Sequence, residues 1–143
     1  MKKIIEKSLE NSYTYQQFRN LVSHLLTENK STGNIQSEEI TAFSSLNDRR
    51  MKRLDKTIKI SDKTSIAMNT ISQPQTWLVI AEGWCGDAAQ NLPIIHKIAE
   101  TSNLLNLKVV LRDDNDDLMN LFLTNGGKSI PKLIALDKNN NVL

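Results

Sequence analysis

One cysteine, Cys85, stands alone in the 143 residues of the chain. A single cysteine excludes an intrachain disulfide and any zinc cluster built on cysteines. Histidine is almost as scarce, with only His24 and His96, so no His-rich metal site is predicted and the metal assignment is none. No apolar run approaches the roughly 18 residues that a membrane span needs. The stretch Met1–Asn11 is basic but offers only Ile4-Ile5 as an apolar pair, which is no signal-peptide core. Neither sign of charge dominates: 18 Lys and Arg face 16 Asp and Glu, for a net +2. That balance excludes a disordered polyelectrolyte and gives no pull toward nucleic acid. These absences together predict a cytoplasmic protein that uses no cofactor and engages neither membrane nor nucleic acid.

What is present divides the chain in two. Residues 1–73 carry 12 Lys and Arg against 8 Asp and Glu, whereas residues 74–143 carry 6 against 8. Helical spacing dominates the first half. Thr14 and Gln17 form a capping-box pattern, and Phe18, Leu21, Val22, Leu25 and Leu26 follow as an amphipathic stripe, predicting a helix from Thr14 to Glu28. Ser37, followed by Glu38 and Glu39, caps a second helix to about Lys59, with Ile40, Phe43, Leu46, Met51, Leu54 and Ile58 at helical spacing. Ser61 caps a weaker third helix, Asp62 to Ile71.

Gln73-Pro74-Gln75 breaks this pattern. Beyond it, Thr76–Ala81 reads as a buried strand, Gly86–Thr101 as a helix and Leu107–Leu111 as a second strand. Asp114–Asn125 reads as a helix stopped by Gly126-Gly127, and Lys132–Leu136 as a third strand. Residues 137–141 read as a hairpin turn leading into Val142-Leu143. The β-α-β spacing predicts a parallel pair with a right-handed crossover. The last strand is cut after two residues, which predicts a truncated C-terminus. Apolar surface left open there would allow two chains to pair as a homodimer.

Cys85 falls between the end of a strand and the start of a helix. Free backbone N–H groups and the helix dipole favour an anion at that position, which promotes the thiolate. Asp87 opposes this as a like charge, and Glu82 acts in the same sense. The order Trp84-Cys85-Gly86-Asp87-Ala88 after a buried strand resembles the Trp-Cys-Gly-Pro-Cys motif of thioredoxins. Pro93 in the following helix, the Gly126-Gly127 turn and Ile130-Pro131 before a strand agree with that resemblance. It covers residues 74–143 and implies an α/β thioredoxin-like fold, a mixed sheet flanked by helices. Residues 1–73 would form a helical extension packed on this core, as in a bacterial subgroup of thioredoxin-like proteins. The family pattern continues with a strand end and a helix beyond Leu143.

The resemblance implies that Pro131 is a cis-proline packed beside the thiol. It makes Cys85 the candidate catalytic residue, with Trp84, Gly86, Asp87, Ile130 and Pro131 as candidate substrate-binding residues. Departures from the motif limit the chemistry. Ala88 stands where thioredoxins have the second cysteine, so an intramolecular disulfide cannot form. Val79 replaces the usual buried Asp, and Asp87 replaces the motif proline. Two functions follow. One is a thiol redox protein, an oxidoreductase if active, in which Cys85 forms mixed disulfides with a protein or a small thiol or disulfide. The other is a redox-inactive module whose groove holds an extended peptide.

Other features have plainer explanations. Trp84 either shapes the substrate surface or packs as a rim aromatic. His96 lies too far along the helix to serve Cys85 as a base. The cluster Arg49, Arg50, Lys52, Arg53, Lys56, Lys59 and Lys63 reads as a solvated helix face, with docking on the acidic run 113–117 as the second reading. That acidic run lacks the Gly and Glu of a calcium loop, and Gly127-Lys128-Ser129 lacks the first Gly of a phosphate loop.

Overall fold

The computed structural model describes residues 1–143. It contains six helices and three strands: α1 (Lys2–Glu10), α2 (Tyr15–Thr27), α3 (Glu38–Thr57), α4 (Asp62–Met68), β1 (Gln75–Ala81), α5 (Gly86–Glu100), β2 (Leu105–Leu111), α6 (Asp116–Leu121) and β3 (Lys132–Leu136). No helix is long and apolar enough to cross a membrane.

The sheet order is β2-β1-β3. β1 runs parallel to β2, from Gln75 opposite Leu105 to Ala81 opposite Leu111. It runs antiparallel to β3, from Thr76 opposite Leu136 to Ile80 opposite Lys132. The central strand is covered on both faces, which is why its sequence is an unbroken apolar run rather than an alternation. Val79 and Ala81 face a core shared with Phe18 and Val22 of α2, Met51 of α3, and Ala88, Ala89 and Leu92 of α5. Leu78 and Ile80 face a second core with Ile5 of α1, Leu118 and Met119 of α6, and Ile134 and Leu136 of β3. Each large apolar side chain fully buried in this way contributes about 1.5–3 kcal/mol.

Local chemistry sets the helix starts. Thr14 Oγ1 accepts from Gln17 N at 3.1 Å while Gln17 Oε1 accepts from Thr14 N at 2.9 Å, a complete capping box. Ser37 caps α3 through Ile40 N at 3.1 Å, and Ser61 caps α4 through Thr64 N at 3.2 Å. Tyr13 exchanges two backbone hydrogen bonds with Val109, each 2.8 Å, and so covers the outer edge of β2.

Three sequence readings need correction. α1 has no counterpart in the sequence reading: its charged composition hid a short stripe of Ile4, Ile5, Ser8 and Leu9 that packs beneath the second core. The predicted helix over Asp114–Asn125 shrinks to Asp116–Leu121. Phe122 leaves helical geometry, and Asn125 and Gly126, at φ 51° and 79°, close a tight turn between Thr124 and Gly127. An Asn-Gly pair favours that turn over continued helix. The third correction concerns the buried face of α3. Ser44, Asn47 and Met51 are buried, whereas Phe43 is exposed. Two polar side chains face inward because they meet partners there: Ser44 pairs with Ser31 at 2.5 Å, and Asn47 donates to the Gly83 carbonyl at 3.1 Å.

Candidate functional site

The site lies where β1 ends and α5 begins. Cys85 is the N-cap of α5, with extended backbone at φ −83° and ψ 117°. Its Sγ accepts a hydrogen bond from Ala88 N at 3.4 Å. The thiol also lies 3.6 Å from the carbonyl oxygen of Ile130, to which it donates. The Ile130–Pro131 peptide bond is cis. Cys85 is half-buried, and so are Ile130 and Pro131. The sulfur is thus held by one bond to its own helix and one to the loop before β3.

The other candidate residues sit around this contact. Gly86 opens α5, and Asp87 follows in its first turn, exposed, with its carbonyl accepting from Asn91 Nδ2 at 2.8 Å. Trp84 is held as a rim aromatic. The Arg112 guanidinium lies over its ring, 4.8 Å from the centroid. Its indole edge meets Gly33, where a Cβ would lie 2.8 Å from Trp84 Nε1 and 2.8 Å from Asp113 Oδ2. Gly33 also has φ +91°, so both space and backbone conformation demand glycine there. Val79, at the position of the family's buried Asp, is fully buried among apolar neighbours.

Beneath the turn lies a polar network that sequence reading missed. Glu82 is only 1% exposed. Its carboxylate accepts from the Thr32 hydroxyl at 2.5 Å and from Asp113 N at 3.0 Å. Thr32 Oγ1 in turn accepts from Gly83 N at 2.8 Å. Asn47 holds the Gly83 carbonyl, and its own Oδ1 accepts from Arg50 Nη1 at 3.2 Å. Burial pushes the Glu82 carboxyl up from its ordinary value, while the bonds from Thr32 and Asp113 N pull it down. Thr32, Asn47 and Arg112 carry no local sequence signal, because each meets a residue far away in the chain, and Arg50 was visible only as one member of a basic cluster. Glu82 was visible only as a neighbour of the motif.

His96 stands apart from the thiol. It stacks on Tyr15 at 4.2 Å, and its Nε2 lies 2.9 Å from Glu100 Oε1. Burial lowers its pKa, against the charges of Glu100 and Asp55. The acidic run finds its cations locally, Arg112 on Asp113 at 3.2 Å and Lys128 on Asp116, rather than on the basic face of α3. No group of three His, Cys, Asp or Glu side chains is placed to hold a metal ion.

A family model described as thioredoxin matches residues 33–143. No curated protein matches the chain. Among solved structures, a Pseudomonas aeruginosa protein of unknown function is similar with a TM-score of 0.56 at 15% identity, over 92% of this chain and 74% of that one. An HIV epitope-scaffold is similar with a TM-score of 0.59 at 16% identity, over 91% of this chain and 74% of that one. These two likenesses concern the fold. The family match covers the α3–β3 core and the Cys85 turn, and by it the chain belongs to the thioredoxin family.

Proposed function

We propose that the protein carries out thiol–disulfide exchange through Cys85 alone. The observation that supports this most is the placement of the only thiol of a thioredoxin-family chain. It is half-buried at the head of α5, with Ala88 N as donor to the sulfur and the Ile130 carbonyl opposite. Cys85 loses its proton and attacks one sulfur of a substrate disulfide. A Cys85–substrate disulfide forms, the old S–S bond breaks, and the departing thiolate takes the electron pair and then a proton. Ala88 cannot resolve this product, so an external thiol attacks it and releases Cys85.

The substrate is a protein or a small thiol or disulfide, met in the cytoplasm, where external thiols are plentiful. Trp84, Gly86, Asp87, Ile130 and Pro131 form the surface on which it sits. Residues 74–143 act as the thioredoxin-like domain and residues 1–73 as its extension. The polar bonds from Thr32 and Asn47 to the Cys85 turn support one working unit.

Intact-mass analysis of the protein with a disulfide substrate tests the proposal. One adduct at Cys85, released by added thiol, is the expected result. A folded protein that forms no adduct at neutral pH would overturn it. A second reading, a peptide-binding module without redox chemistry, draws on Ala88 in place of the resolving cysteine. It requires Cys85→Ala to retain the partners of the native chain, whereas the redox reading requires that variant to lose them.

A further inference from the structure

The two aspartates of α3 are already engaged. Arg19 of α2, itself buried, binds Asp48 at 3.2 Å and Asp55 at 2.5 Å, and Asp55 also accepts from the Tyr15 hydroxyl at 2.7 Å. None of the arginines and lysines of α3 pairs with a carboxylate. Most of them point to solvent, but Arg50 does not. It is half-buried, and its Nη1 is anchored to Asn47 Oδ1, the same Asn47 that holds the Gly83 carbonyl. A Cβ built on Gly86 would lie 3.6 Å from Arg50 Nη1. The guanidinium thus sits against the residue that follows the thiol.

Arg50 forms no ion pair, in contrast to Arg112, the other arginine of the turn, whose charge is met by Asp113. Asp87, two residues after the thiol, is exposed and likewise without an ion pair. A fixed guanidinium with free N–H donors and no ion pair, packed against the residue that follows the nucleophile, suits a carboxylate on the group that reacts there.

We propose that Arg50 is a specificity-determining residue that selects small carboxylate-bearing disulfides and thiols as partners of Cys85. The inference rests on the redox reading above. In the exchange step the carboxylate stays intact and binds Arg50. Cys85 sulfur bonds to the near sulfur of the disulfide, and the far half leaves as a thiolate that is then protonated. A second carboxylate-bearing thiol resolves the adduct in the same orientation, restoring the Cys85 thiol and forming a free disulfide.

The test compares three alkyl disulfides of similar reach: anionic 3,3′-dithiodipropionate, neutral 2-hydroxyethyl disulfide and cationic cystamine. Rates of Cys85 adduct formation are read by mass spectrometry and referenced to a free cysteine peptide. The native chain should favour the anionic probe, and salt should erode that preference. Arg50→Gln should lower the anionic rate roughly threefold or more, the range of a partly exposed charged hydrogen bond, and leave the neutral rate within about twofold. Arg50→Lys should restore part of the preference, because it keeps the charge and loses the fork. Asp87→Asn should raise the anionic rate, and Arg49→Gln, an exposed neighbour on α3, should change nothing.

If Arg50→Gln slows all three probes alike, Arg50 only supports the turn and the inference is overturned. An anionic-to-neutral ratio unchanged by Arg50→Gln overturns it too, while leaving the redox reading intact. A native chain inert to every probe overturns both.

Discussion

The two sides of the segment Glu82–Asp87 are built differently. On the outer side, Cys85 makes two sulfur contacts of 3.4 and 3.6 Å, and Asp87 is exposed. The inner side is dense. Glu82 and Gly83 together engage Thr32, Asn47 and Asp113 through four hydrogen bonds of 2.5 to 3.1 Å, three of them buried and the one from Asp113 N half-buried. The contrast shows how a half-buried side chain at the rim can keep its position: the precision comes from below. A buried network of this kind is worth keeping only when every member is satisfied, since an unpaired buried group costs more than the bond it lost.

The largest expected effect comes from the outer side. Cys85→Ser should abolish adduct formation with any disulfide, measured by intact mass, while unfolding by urea changes little. An unfolding midpoint that falls sharply would mean the sulfur is part of the support as well, and the contrast would fail.

Thr32→Val probes the inner side. It keeps the shape of the side chain but removes the oxygen shared by Glu82 and Gly83 N. A loss of about 2–3 kcal/mol in urea unfolding is expected. A neutral result would show that the network is not what holds the turn.

Glu82→Gln sharpens the comparison through pH. Burial raises the Glu82 carboxyl above its ordinary 4.5, so the folded chain binds that proton more tightly than the unfolded one. The stability contribution tied to it is therefore complete below about pH 4.5 and lost as pH rises through the raised native value. The glutamine cannot titrate. Its stability relative to the native chain should rise with pH across that window, measured by urea unfolding at a series of pH values. A difference that stays flat with pH would show that Glu82 does not titrate differently in the two states.

The smallest effect belongs to the rim. Arg112→Met removes the guanidinium over Trp84, a contact worth about 0.5–1 kcal/mol. Trp84 should become more accessible to a neutral fluorescence quencher, with little change in Cys85 adduct formation. A large loss of adduct formation would move Arg112 from support to substrate contact.

The sequence by itself determined the parts that depend on neighbours in the chain. One capping box and two serine caps placed α2, α3 and α4. The apolar runs placed β1 and β3. The motif around Cys85, with Ile130-Pro131, pointed to the family. Helix caps and strand periodicity act over a few residues, so they are written locally.

Tertiary structure alone decided the rest. α1 carries an apolar stripe of its own, but only the second core shows what that stripe packs against. Asn47 and Ser44 face inward only because Gly83 and Ser31 stand opposite them. Glu82 is buried because Thr32 and Asp113, far before and after it in the chain, bring donors to it. A buried polar group is stable only where its partners converge, and convergence across distant segments is set by the packing of the whole fold, not by the order of residues around any one of them.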